Sequence, residues 1–139
     1  MVYLGLDLGS KTLGVSVSDR TGIIASSLEV LRYNEYSDLL LQLDKIVSDR
    51  KVDVFVLGNP LNLNGSASVR TELSLEFKKI LEERYNKEVV MQDERLSTVS
   101  ANKLLISNDT KRKNRKKVVD KIAATIILQS YLDRRNNER

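Results

Sequence analysis

The sequence predicts an α/β fold in which a three-stranded meander feeds alternating helices and strands, giving a mixed sheet with helices on its faces. Three observations carry this. Period-two hydrophobicity runs through residues 2–8 and 13–19, and after a turn at Gly22 residues 23–31 read as a third strand. From Tyr36 the apolar spacing changes to that of amphipathic helices. A nearly continuous apolar run, Val52-Asp53-Val54-Phe55-Val56-Leu57-Gly58, suits a central strand covered on both faces.

The elements follow in order. Residues 2–8 form a strand with Leu4, Leu6 and Leu8 on one face and Tyr3, Gly5 and Asp7 on the other. After the short connection Gly9 to Thr12, residues 13–19 form its hairpin partner, with Leu13, Val15 and Val17 alternating with Gly14, Ser16 and Ser18. A turn at Gly22 leads to a third strand over 23–31. Tyr36, Leu39, Leu40, Leu43, Ile46 and Val47 mark a helix, and 52–58 is the central strand. Past the Asn/Gly-rich loop 59–65, Val69, Leu73, Phe77, Ile80 and Leu81 mark a second helix, followed by a short strand at 89–91. A further helix begins at Ser97 or Thr98, both good N-caps. Residues 108–117 are polar and basic without apolar period. The last helix runs from about Arg115 to Arg134. Ala123, Ala124, Ile127, Leu128 and Tyr131 form its apolar face, and Lys121, Thr125 and Gln129 a polar stripe. The chain of 139 residues is read as one domain, 1–139.

Composition narrows the chemistry. With 41% hydrophobic and 30% charged residues the chain reads as soluble and globular. No apolar run approaches the ~18 residues of a membrane span, and no secretory signal is visible, so a cytoplasmic protein without membrane contact is expected. There is no cysteine and no histidine. That excludes thiolate nucleophiles, imidazole bases, Ser-His-Asp triads and Cys or His metal sites. What remains is carboxylates, Lys, Arg, Tyr and hydroxyls, whose oxygen ligands favour a hard cation such as Mg²⁺ or Mn²⁺. The net charge of +4 is uneven. Residues 111–135 hold nine Lys/Arg against Asp120 and Asp133, so the rest of the chain is net acidic. A local positive patch of this kind suits a polyanion.

Three acidic positions stand out. Asp7 ends the first strand, Asp93-Glu94 ends the last, and Asp120 lies on the apolar side near the start of the last helix. Strand ends are where sites form in such sheets. Converging carboxylates repel one another unless cations neutralise them, and two Mg²⁺ ions there would serve phosphodiester hydrolysis. Each acid has a structural alternative: Asp7 as a turn stabiliser, Asp93 and Glu94 as loop acids, and Asp120 as a helix cap or partner of Arg115 or Lys121. The loop 58–66, with Ser66 at the following helix start and Arg70 one turn in, either receives a phosphate or is an ordinary capped turn. Lys111, Arg112, Lys113, Arg115, Lys116 and Lys117 form a basic run just before Asp120, read as a strand-holding segment or as a solvated face.

Four blocks, GLDLGSKTLGVSVSD at 5–19, GNPLNLNGS at 58–66, DERLST at 93–98 and DKIAATIILQSYLD at 120–133, together resemble the YqgF/RuvX family of the RNase H-like superfamily over nearly the whole chain. The resemblance implies an RNase H-like fold: a five-stranded mixed sheet, antiparallel meander plus parallel strands, with helices on both faces. It implies a metal-dependent nuclease with Asp7, Glu94 and Asp120 as catalytic metal ligands for two Mg²⁺ or Mn²⁺ ions. Family members are described as pre-16S rRNA nucleases and, earlier, as Holliday junction resolvases. The expected partners are therefore precursor rRNA or a DNA junction, with ribosomal assembly factors besides, for a monomer or homodimer. Lys11, Asn62, Arg70, Arg95 and the basic run would contact nucleic acid. Thr12 and Asn59 depart from the family pattern without removing a carboxylate. Glu94 is favoured over Asp93 as ligand. Rival readings are a DNA junction resolvase with the same site, a non-catalytic binding module, and an ATP-binding domain of the actin/sugar-kinase type.

Overall fold

Five strands join in one sheet in the order β3-β2-β1-β4-β5. The computed structural model describes residues 1–60, 68–93 and 112–137, and side chains for all of these except 112–121. The elements are β1 (Tyr3–Leu8), β2 (Thr12–Ser18), β3 (Ala25–Arg32), α1 (Tyr36–Arg50), β4 (Val54–Asn59), α2 (Val69–Tyr85), β5 (Glu88–Asp93) and α3 (Arg112–Asn137). The β1–β2 and β2–β3 pairs are antiparallel, whereas β1–β4 and β4–β5 are parallel. This is the mixed sheet expected from the meander and the alternating elements after it.

The alternation in β1 divides the core as the sequence predicts. Leu4, Leu6 and Leu8 pack with Leu39, Leu43, Phe77 and Leu81 from α1 and α2. Tyr3 lies on the other face with Val54, Val56, Ile127, Leu128 and Leu132, under α3. Phe55 and Leu57 join the first cluster and Val54 and Val56 the second, so β4 is buried on both faces. Its continuous apolar run follows from that position.

Gly5 lets α3 approach closely. A Cβ there would lie 2.6 Å from Leu128 Cβ and 2.9 Å from the Ala124 carbonyl, and would clash with Ser16 Oγ. The Ser16 hydroxyl donates to that same carbonyl at 2.7 Å, a buried bond tying β2 to α3.

Boundaries move for identifiable reasons. The third strand, expected over 23–31, begins at Ala25. Asp19 Oδ1 accepts from the Ile23 and Ile24 amides, Gly22 has φ +71°, and Asp19 N donates to Ile24 O, so 19–24 is a closed turn. Ile23 and Ile24 are exposed in it. Val52 belongs to the exit from α1: Lys51 is left-handed (φ 53°) and Val52 N donates to Val47 O, so β4 starts at Val54. The last strand extends to 88–93. The last helix starts at Arg112 rather than Arg115, so part of the basic run expected as irregular is helical. Lys and Arg have high helix propensity and need no apolar period to extend a helix outward. Gln129, expected on a polar stripe, faces the sheet edge. It accepts from Ala25 N and donates to Ile23 O, both at 2.8 Å. The helix expected from Ser97 or Thr98 lies outside the described residues.

Candidate functional site

Asp7 stands one residue before the end of β1, half-buried on the α3 face of the sheet. Its antiparallel neighbour is Gly14. On the other side the parallel register pairs Leu6 with Leu57, which makes Gly58 the next position beside Asp7. Glycines therefore bracket the carboxylate across the sheet, and no neighbouring side chain covers it from either strand.

Asp7 is not needed for the turn that follows. Gly9 N donates to Thr12 O at 2.8 Å, and the Gly9 carbonyl accepts from the Tyr33 hydroxyl at 2.5 Å. Among the described residues the Asp7 carboxylate makes no hydrogen bond or ion pair. The turn-stabiliser reading therefore fails. Asp7 instead opens into a cleft of about 580 Å³, lined also by Ser10, Thr12, Gly14, Arg32 and Arg70.

Arg70 reaches this cleft from the first turn of α2, and its Nη2 donates to the Leu8 carbonyl at 3.2 Å. Its helix is held by a capping box. Ser68 Oγ accepts from Thr71 N at 3.2 Å, Thr71 Oγ1 accepts from Ser68 N at 3.1 Å, and both hydroxyls donate to the Pro60 carbonyl at 3.0 Å. The N-cap is thus Ser68, not Ser66, and its hydroxyl is already engaged. Lys11 is exposed in the turn beside the cleft. Arg32 was missed by sequence reasoning. It enters the cleft because β3 pairs it with Thr12, a register that passes through a shift between Val15 and Ser16. No local motif announces that register.

The remaining candidates are placed unequally. Asp120, Arg112, Lys113, Arg115, Lys116 and Lys117 lie on α3, where the backbone alone is described. Glu94, Asn62, Arg95 and Lys111 lie outside the described residues. Among the described residues no group of three or more acidic side chains comes together. Asp93 shares the period-two row of Val89 and Met91, which pack in the α1/α2 core, while Val90 packs on the α3 face.

The donors present suit a hard cation. Asp7 offers a carboxylate with no partner among the described residues, and the cleft adds the hydroxyls of Ser10 and Thr12. Gln92, which pairs with Gly58 in the same row of the sheet, has a buried Oε1 with no hydrogen-bond partner among the described residues. Oxygen donors of this kind fit Mg²⁺ or Mn²⁺ and offer nothing to softer metals.

Comparison with known proteins agrees with this geometry. A family model described as "RuvX: Holliday junction resolvase" matches residues 1–134. A Bacillus pumilus protein named "Putative pre-16S rRNA nuclease" is 51% identical over 138 residues, 98% of this chain and 100% of its own. A Bacillus subtilis protein of the same name is 49% identical with the same coverage of both chains. Among solved structures, Thermus thermophilus RuvC in complex with Holliday junction substrate aligns with a TM-score of 0.58 at 13% identity, covering 96% of each chain. The fowlpox virus Holliday junction resolvase aligns at 0.55 and 17%, covering 96% of this chain and 99% of its own. These two likenesses establish the RNase H-like resolvase fold. With its matched sequence, its mixed sheet and the acid at the end of β1, the chain belongs to the RuvX family.

Proposed function

We infer that this protein is a divalent-metal-dependent nuclease that hydrolyses phosphodiester bonds of structured RNA in maturation of precursor 16S rRNA, in the cytoplasm. The observation that carries the reading is the Asp7 carboxylate, without a partner among the described residues and facing a cleft that also holds Arg32 and Arg70. An acid for metal and two guanidiniums for phosphate belong together in phosphodiester chemistry. The relatives named as pre-16S rRNA nucleases, aligned over their full length, support the substrate class.

Asp7, Glu94 and Asp120 would hold the metal, two Mg²⁺ or Mn²⁺ ions by the chemistry of the class. Sheet and helix geometry support this set. The α3 side chains descend β1 in register: the Tyr131 ring packs tilted against Tyr3 with centroids 5.9 Å apart, and Leu128 and Ala124 flank Gly5. Two strand residues advance about 6.8 Å and one helical residue about 1.5 Å, so Asp7 falls level with the turn that contains Asp120. On β5, Val90 and then Gln92 take the α3 face. Asp93 falls in the row of Val89 and Met91 on the opposite face, which leaves Glu94 the favoured ligand of the two.

Bound metal supplies activation of water and stabilisation of charge on the departing oxygen. The chain's own residues do the rest. Arg32 and Arg70 hold the scissile phosphate against Asp7, and Lys11 and Arg95 steady the flanking strand. The basic run from Lys111 to Lys117 raises the local concentration of polyanion.

The test is cleavage of precursor 16S rRNA with and without Mg²⁺ by wild type and by Asp7→Asn. The variant should keep its melting temperature and lose cleavage; a folded Asp7→Asn protein cutting at the wild-type rate would refute the reading. A four-way DNA junction belongs in the same experiment, since the fold is shared with a RuvC captured on one. Preferential, symmetric junction cutting would reassign the substrate to DNA.

A further inference from the structure

We propose that a second cleft, next to the one at Asp7, receives an unpaired nucleobase of the RNA strand whose phosphate lies at Arg70. This rests on the nuclease reading above and adds to it a base-binding site. The cleft measures about 550 Å³ and lies across the Gly9–Thr12 turn from Asp7. The two clefts share Gly9, Ser10 and Arg70. A strand held by Arg70 would therefore have its neighbouring base at the mouth of the second cleft, because successive phosphates and bases are only a few ångströms apart.

The lining has the chemistry of a base site. Tyr33, Tyr36 and Leu73 give it an aromatic and aliphatic wall, and Ser10 and Asn34 add a hydroxyl and an amide. The amide presents both donor and acceptor, as the polar edge of a base requires. Arg70 supplies charge, and none of the described lining residues is acidic. Leu73 is 44% exposed, an apolar side chain at the mouth with no core role.

The wall is also fixed in advance. Tyr33 is tied to the turn twice, through its hydroxyl to Gly9 O at 2.5 Å and its amide to Lys11 O at 3.0 Å. Tyr36 is braced between Tyr33 and Phe77, with ring centroids 5.7 Å and 5.4 Å away. A preformed aromatic wall loses little entropy when a base stacks on it.

The experiment measures binding, in the absence of divalent metal, of a short single-stranded RNA and of the same RNA with one central abasic nucleotide. Wild type should prefer the intact strand by about 5- to 100-fold, the range of one base stacked on an aromatic side chain. Tyr36→Leu should erase most of that preference while binding the abasic RNA as wild type does. Leu73→Gln, at an exposed position that cannot compromise folding, should narrow it. Equal affinity of wild type for the two RNAs, or full preference retained in both variants, overturns the proposal. Failure of the nuclease reading would look different: no metal-dependent cleavage by wild type, with the base preference intact.

Discussion

Replacing Gly5 by alanine should loosen the attachment of α3 to the sheet more than any other one-carbon change in β1. The new methyl would sit 2.6 Å from Leu128 Cβ and 2.9 Å from the Ala124 carbonyl, and would overlap Ser16 Oγ. None of these is the free end of a long side chain. Leu128 Cβ and Ala124 O move only if the helix moves, and Ser16 can rotate away only by giving up its 2.7 Å bond to Ala124 O. Overpacking of this kind costs about 1–3 kcal/mol, and the buried hydrogen bond adds about 1 kcal/mol, so a loss of about 3 kcal/mol is expected. At roughly 2–4 °C per kcal/mol the melting temperature should fall by about 6–12 °C. Urea denaturation followed by circular dichroism measures the loss directly. Because α3 carries Asp120, Mn²⁺ affinity should fall as well, although Gly5 touches no candidate ligand. A Gly5→Ala protein within about 0.5 kcal/mol of wild type would show that the helix does not rest on this glycine, and the register argument linking Asp7 to Asp120 would lose its support.

Two further outcomes test other parts of the molecule. Asp19 is held below the usual carboxylate range by the Thr21 hydroxyl and then by the Ile23 and Ile24 amides, and Asp44 by its hydrogen bond to Arg84 and, more weakly, by the Tyr85 hydroxyl. A carboxyl lowered in the folded state stabilises above its unfolded value of 3.8 and loses that contribution as pH falls through the folded value. Melting temperature should therefore drop in acid below about pH 4, and Asp19→Asn and Asp44→Asn should each flatten that limb; a limb unchanged in both variants contradicts the assignment. Replacing Arg115, Lys116 and Lys117 together by alanine should reduce the salt dependence of RNA binding, by up to about 0.7–0.9 in the log–log slope for each phosphate contact removed. An unaltered slope would make the basic run a solvated face.

What the sequence disclosed and what it hid have physical causes. The two faces of β1 were readable because period-two alternation is local, and Leu4, Leu6 and Leu8 separate cleanly from Tyr3, Gly5 and Asp7. The both-sided burial of β4 was readable for the same reason. Ile23 and Ile24 misled because apolar side chains signal a strand even when an upstream carboxylate, Asp19, has closed their backbone into a turn. Gln129 looked like solvent-facing polarity, since nothing local shows that its amide will complete the start of β3. Arg32 was invisible as a cleft residue, and so was the wall formed by Tyr33 and Tyr36. Both depend on how the third strand registers against the second and where the chain then turns, which is long-range information.

The position of Asp7 argues against a structural role on energetic grounds. An ionised carboxylate half-buried in an apolar strand is costly unless something pairs with it. Selection for stability alone would have given Asp7 a basic neighbour across the sheet, yet both neighbouring positions are glycine. The nearby guanidiniums are already placed otherwise: Arg70 donates to a backbone carbonyl, and Arg32 stands on the edge strand, exposed. Each can reach an anion in the cleft without neutralising the acid. A carboxylate with no partner among the described residues, beside two cations and flanked by glycines, is suited to a ligand carrying charges of both signs. A metal-bound phosphodiester is such a ligand.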